Sequence, residues 1–156
     1  MEKQEEPLIH PLIQITKKYL SVFADASQHI PLERYHYVLV FIEANHQKLT
    51  QKDLADYLLV DKSFMVNMID YLTANGFVFR ETSTEDRRKH LIKLTQKAFN
   101  YLPEIKQAIK NTNNLALEGL SESQKSIFKE VLEKLEQNLN ITIKHTVSFD
   151  YKKSEI

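Results

Sequence analysis

The sequence predicts a mainly α-helical chain with one small β-hairpin, and three observations carry that prediction. Apolar residues recur at helical spacing along most of the 156 residues. Only two glycines occur, too few for extensive β structure or for glycine-rich loops that cradle phosphates. The exception is one short stretch, where Phe77-Val78-Phe79 and the alternating run His90 to Leu94 read as two strands around a polar, basic turn.

From about Pro7 to Gln28, Leu8, Leu12, Ile15, Tyr19, Val22 and Phe23 trace a long first helix with a broad apolar face. Pro31 ends it or starts the next. A second helix is expected from Leu32 to about Asn45, with Tyr35, Val38, Leu39 and Ile42 inward and Tyr37 and Phe41 widening the stripe. So wide a stripe suits a helix enclosed on more than one side, at the centre of a lobe. Residues 46 to 49 read as a connector.

The third helix runs from Gln51 to Leu59, and Thr50 followed three residues later by Asp53 makes an N-terminal cap for it. Leu54, Tyr57 and Leu58 are its apolar positions. Val60 and Asp61 are left for the turn, and a turn that short forces a steep crossing that leaves the next helix projecting from the surface. That fourth helix is bracketed by Asp61, placed to accept from free backbone N–H groups, and by Asn75-Gly76, which tolerate a left-handed ending. Within it Met65, Met68, Ile69 and Leu72 form one buried stripe, while Ser63, Val66, Asn67, Asp70 and Tyr71 lie opposite. Helix, turn, helix and basic hairpin, in that order, are the outline of a winged helix-turn-helix.

After Thr95, a further N-cap, Ala98, Leu102, Ile105 and Ile109 trace a long helix that contains Pro103, which either kinks it or sits in its first turns. Residues 111 to 119 either continue this helix or leave it, with Gly119 as its cap. Ser121 and Gln124 form a capping box for a last helix striped by Ile127, Phe128, Val131, Leu132, Leu135, Leu139 and Ile143. The tail from Phe149 on is expected to be loose. As a monomer the chain would expose that last stripe as a patch larger than soluble monomers carry, which a homodimer of first and last helices resolves. The alternative is that these helices pack on each other within one chain.

Composition narrows the chemistry. A chain of this length supports one domain with a real core, and the absence of cysteine excludes disulfides and thiolate metal sites. No targeting segment or apolar run long enough to span a bilayer is evident, so a soluble cytoplasmic protein without a membrane partner is expected. Lys+Arg and Asp+Glu balance at 21 each, yet the charge is not evenly spread. Between Arg80 and Lys97 six cations face three carboxylates, a net of +3, whereas between Glu118 and Gln137 three cations face five, a net of −2. A basic wing and an acidic far helix suit a protein that presents one face to DNA.

If the fourth helix enters a major groove, Asn67 can pair bidentately with an adenine edge and Val66 can meet a thymine methyl. Lys62 and Ser63 then reach phosphate or base near the helix start, and Tyr71 meets phosphate. Asp70 makes this face electrostatically poor, which shifts affinity to the wing and its run Arg87-Arg88-Lys89. Read without context, that run is a solvated charged turn.

The segments Leu49-Thr50-Gln51-Lys52-Asp53-Leu54-Ala55, Leu72-Thr73-Ala74-Asn75-Gly76-Phe77-Val78 and Asp86-Arg87-Arg88, with Leu94-Thr95 closing the hairpin, resemble the MarR-type winged-helix transcription regulators. The resemblance covers nearly the whole chain, and it implies a lobe over 32–95 with dimerisation helices at 7–30 and 96–146. It also implies a small extra strand near residues 46–49. By resemblance Arg88 is the residue inserted in the minor groove, Asp86 fixes its side chain, and Arg87 and Lys89 contact the backbone; Asp86 read alone is an ordinary turn former. Members of that family often carry arginine where Asn67 stands, so the chain departs there.

The implied function is a homodimeric, sequence-specific regulator of double-stranded DNA, a repressor of a pseudo-palindromic operator, released by a small-molecule effector. Effector pockets in the family lie between the dimer helices and the DNA-binding lobe, which singles out Tyr19, Arg34, Tyr35, His36 and Tyr37. Tyrosines serve equally well at junctions with no ligand. No catalytic motif and no local metal-ligand spacing among the six histidines is present, so neither an enzyme nor a cofactor is expected. Two other readings stay open: a winged domain turned protein-interaction module, and, more remotely, a metal sensor built from sequence-distant histidines.

Overall fold

A computed structural model describes residues 6–140 and 145–147 of the chain. In order, its elements are α1 (Ile9–Ala26), α2 (His36–Ala44), α3 (Gln51–Leu58), α4 (Lys62–Ala74), β1 (Val78–Thr82), β2 (His90–Leu94), α5 (Gln96–Ala116) and α6 (Glu122–Asn140). The strands pair antiparallel, from Val78 opposite Leu94 to Thr82 opposite His90. The chain is thus mainly α with a small β wing.

Local chemistry sets the boundaries. Thr50 and Asp53 form a reciprocal capping box at the start of α3: the Asp53 N–H donates to Thr50 Oγ1 at 3.2 Å, and the Thr50 N–H donates to Asp53 Oδ2 at 2.8 Å. Asp61 Oδ1 accepts from the Phe64 N–H at 2.7 Å and starts α4. At the other end of α4, Gly76 takes φ +76°, a conformation that costs a glycine little. Thr95 does two tasks, accepting from the Ala98 N–H at 3.2 Å to start α5 and donating to the Gly76 carbonyl at 2.6 Å. Ser121 and Gln124 exchange N–H bonds before α6 in the same reciprocal way.

One core unites these pieces. Val38, Leu39 and Ile42 of α2, Leu54 of α3, and Met65, Met68, Ile69 and Leu72 of α4 are all fully enclosed, together with Phe77, Ile92 and Ile105. Central α2 therefore has the enclosed position that its wide apolar stripe implies. Helix α5 lies against α1, α2 and β2, and runs unbroken through Pro103 even though proline has no N–H to give the carbonyl four residues earlier. Tyr19 of α1 donates its hydroxyl to Asn113 Oδ1 at 2.7 Å, and Lys106 of α5 pairs with Glu43 of α2.

Two expectations need correction. The second helix begins at His36 rather than Leu32, because Tyr35 adopts φ +68° and buries its ring edge-on between Phe64 and Tyr71, at 6.4 and 5.6 Å. Ile30 and Leu32 enter the core from a loop instead. The extra strand near residues 46–49 reduces to a single bridge, Thr50 with Leu91, and a bond from the Ile92 N–H to the Leu49 carbonyl. His46 and Gln47 both have positive φ, which breaks the extended run, and Gln47 Oε1 accepts the Leu94 N–H at 3.0 Å in place of a neighbouring strand. Helix α6 buries none of its residues, so its stripe is uncovered as expected, and packing of the first and last helices on each other within one chain gains no support. Ile127, Phe128, Val131, Leu132 and Leu139 stay exposed along it, as do Leu8, Ile9, Leu12 and Ile15 on or beside α1. Ile143, the expected end of the α6 stripe, and the tail from Phe149 lie outside the described residues.

Asp53 is held below the ordinary aspartate value of 3.8, first by the Thr50 hydroxyl and then by the Thr50 backbone N–H. A depressed folded-state pKa gives stability that is complete above the unfolded value and is lost as pH falls through the folded one. The stability difference between wild type and Asp53→Asn, measured by urea unfolding, is therefore expected to hold steady between about pH 5 and pH 7 and to narrow below about pH 4. A difference that widens in acid would remove the capping box as its source.

Candidate nucleic-acid interface

Burial of its apolar stripe leaves α4 with one outward face. Lys62, Ser63, Asn67 and Asp70 are exposed on it, and Val66 is half-buried. Tyr71 is different: its ring lies beneath the Arg34 guanidinium at 4.7 Å, and its hydroxyl accepts the Glu33 N–H at 3.2 Å. It ties α4 to the loop before α2.

The wing is an ordered loop. The Ser83 N–H donates to the Lys89 carbonyl at 2.9 Å, and the Lys89 N–H returns to the Asp86 carbonyl at 2.9 Å. Inside the loop, buried Ser83 Oγ accepts from the N–H groups of Glu85 and Asp86 at 3.2 and 3.3 Å. Asp86 Oδ1 accepts from both the backbone N–H and the Nε of Arg88, at 3.0 and 3.3 Å. Asp86 is thus a turn former and a side-chain holder at once. The Arg88 side chain it holds is 92% exposed, and Arg87 and Lys89 are exposed on either side. Such a tip offers cationic donors from a fixed base.

Wing and helix pair adjoin in two ways. Arg80 of β1 is bonded to Asp70 of α4 and to Gln51 of α3. Beside this contact a surface concavity of about 430 Å³ opens between the start of α3 and the wing, with Lys52, Arg80, Arg88 and Lys89 around Asp53. Three of these cations are paired with carboxylates, Lys52 with Asp56, Arg80 with Asp70 and Arg88 with Asp86. Sequence reasoning missed both Ser83 and Arg80. Serine two and three residues before the N–H groups it bonds was the available signal for Ser83, and an arginine at an inward-facing strand position was the signal for Arg80.

Of the five residues expected at an effector pocket, Arg34 and Tyr35 adjoin. Arg34 lies over Tyr35 and Tyr71, His36 is buried edge-on against Phe23 at 5.1 Å, Tyr19 bonds Asn113, and Tyr37 packs half-buried on the core. A second surface concavity, of about 380 Å³, is lined by Ile30, Pro31, Leu32, Glu33, Tyr71 and Asn75, with none of the five in its wall. Among the described residues no three His, Asp or Glu side chains gather as metal ligands, and no helix is long and apolar enough to cross a membrane.

Residues 31–89 match the model of the MarR family. Among solved structures, a Listeria monocytogenes protein complexed with 26mer DNA aligns over 93% of this chain and 100% of its own, at 20% identity and a TM-score of 0.78. The transcriptional regulator SlyA aligns over 87% and 96%, at 23% identity and 0.78. The transcriptional repressor CouR, bound to a 23-mer DNA duplex, aligns over 83% and 92%, at 23% identity and 0.73. At such identities the likeness is one of fold.

The wing geometry makes one local prediction. Replacing Asp86 by alanine removes the acceptor of two Arg88 donors, so amide exchange at Arg88 and Lys89 is expected to quicken while global stability changes by no more than about 0.5 kcal/mol. Unchanged exchange at both amides would mean that Asp86 does not order the tip.

Proposed function

We propose, for a chain whose residues 31–89 match the model of the MarR family, sequence-specific binding to double-stranded DNA as a homodimeric transcriptional regulator acting as a repressor. The observation that carries this reading is the pairing of an outward α4 face with an adjoining ordered loop that extends Arg88 into solvent from Asp86. Lys62, Ser63, Val66 and Asn67 are the residues for the major groove, with Asn67 suited to adenine and Val66 to a thymine methyl. Arg88 serves the minor groove, and Arg87 and Lys89 serve the phosphates beside it. Tyr71 has a hydroxyl hydrogen to donate to a phosphate oxygen, although its oxygen already accepts from Glu33.

Residues 32–95 form the DNA-binding lobe in this reading, and 7–30 with 96–146 the dimerisation region. What supports the second assignment is the row of apolar side chains that α1 and α6 leave uncovered, since contiguous apolar patches mark interaction surfaces. A two-fold axis then sets the two α4 helices about one DNA turn apart, roughly 34 to 36 Å, to read a pseudo-palindrome. A small-molecule effector releases such a dimer by favouring another spacing, and only to the extent that it binds that spacing more tightly.

Fluorescence anisotropy against the chain's own upstream DNA and a scrambled duplex tests the reading. Wild type is expected to prefer its own DNA, Arg88→Ala to weaken binding by about 1–3 kcal/mol per contact, and Lys89→Ala to weaken both duplexes alike and lower the log–log salt slope by roughly 2 for a dimer. A wild type with no preference at low salt would sink the regulator and leave a protein-interaction module. For the dimer, sedimentation of Leu132→Glu is the measurement: a carboxylate on the α6 stripe is expected to yield folded monomer. A wild type already monomeric at micromolar concentration would refute the assembly.

A further inference from the structure

On one face of the hairpin, Val78, Arg80 and Thr82 stand opposite Leu94, Ile92 and His90. Cross-strand partners share a face, and because Val78, Ile92 and Leu94 are buried, this is the face packed on the helices. Alternation calls for an apolar side chain at position 80. The chain places an arginine there, its side chain 35% exposed. Its Nη2 donates to Asp70 Oδ1 at 2.7 Å and to Gln51 Oε1 at 3.0 Å. Gln51 is the first residue of α3, and Asp70 is the one carboxylate in α4. A single side chain from the wing therefore holds both helices of the helix-turn-helix.

We propose that Arg80 is a positioning residue for DNA recognition, fixing the wing against α3 and α4 so that the Arg88 tip and the Asn67 face meet adjacent grooves in register, and holding the Asp70 carboxylate away from phosphate. This rests on the regulator reading above. The rival role, Arg80 as a direct phosphate contact, makes the opposite prediction for Asp70. Were Arg80 a phosphate ligand restrained by Asp70, neutralising Asp70 would free a cation, remove a repulsive charge and tighten binding. As a clasp, Arg80 loses its anchor when Asp70 is neutralised, and selectivity falls.

The test compares full-length wild type, Arg80→Ala, Asp70→Asn and the double variant by anisotropy on own-upstream and scrambled DNA. Each single variant is expected to lower the ratio of the two affinities by about tenfold, and the double variant to be no worse than either. Loss of folded protein weakens both duplexes equally and leaves that ratio unmoved. The partly exposed pair is expected to shift the melting temperature by about 4 °C or less. Tighter binding by Asp70→Asn, or losses that add in the double variant, overturns the proposal.

A second measurement does not depend on DNA. Because the chain has no cysteine, a Thr73→Cys, Thr84→Cys pair carries spin labels on α4 and the wing tip alone, and the width of the short distance distribution reports how firmly the wing is held. Arg80→Ala is expected to broaden it, and an unchanged width overturns the clasp. Broadening in a protein whose wild type shows no DNA preference removes the regulator reading, and Arg80's part in recognition with it, while leaving the mechanical contact in place.

Discussion

Everything on the outward side of this lobe depends on the burial of one stripe, Met65, Met68, Ile69 and Leu72 of α4, against the core built around α2. A helix of 13 residues is near the length at which helices are marginal alone, and its propensity is poor, with Val66, Ile69 and Thr73 β-branched. Tertiary packing holds it. Once that stripe is enclosed, the opposite face is free to carry residues chosen for another partner, and the hairpin that follows is registered by Phe77, Ile92 and Leu94 in the same core.

Electrostatics follows a similar logic. The chain is formally neutral, yet neutrality in sequence is not neutrality at the surface. Asp53, Asp61, Asp70 and Asp86 all lie close to the basic side, and each accepts bonds from backbone N–H groups, a hydroxyl or an arginine. Carboxylates engaged in this way order the structure next to cations while opposing them less than their number implies. Asp70 illustrates the point: read along the sequence it spoils the recognition face, and in three dimensions it anchors Arg80.

The terminal helices pose the opposite problem. Helix α5 finds partners on α1, α2 and β2, so its buried residues are accounted for within one chain. Helix α6 has an apolar stripe with the same spacing and no buried residue. The apolar periodicity is alike in the two helices, and only the position of the rest of the chain distinguishes a core helix from an uncovered one.

Much of the architecture was legible from local rules. Thr50, Asp61, Thr95 and Ser121 marked helix starts because a side-chain oxygen one turn from free N–H groups works through bonds only three residues long, and the buried stripe of α4 followed from its period. The start of α2 and the strand near residues 46–49 were misread, because Tyr35, His46 and Gln47 take positive φ to satisfy packing and hydrogen bonds with Phe64, Tyr71 and Leu94, far away in sequence. Among the candidate residues, Arg88 and Asp86 were singled out by the family resemblance and bond across only two positions, whereas Arg80 joins Asp70 and Gln51 across 10 and 29 positions. The sequence by itself determined helix periods, caps and the basic hairpin, since these depend on neighbours within a turn. Only the tertiary structure decided which charges are paired and which apolar faces stay open, since those depend on groups that folding brings together from distant positions.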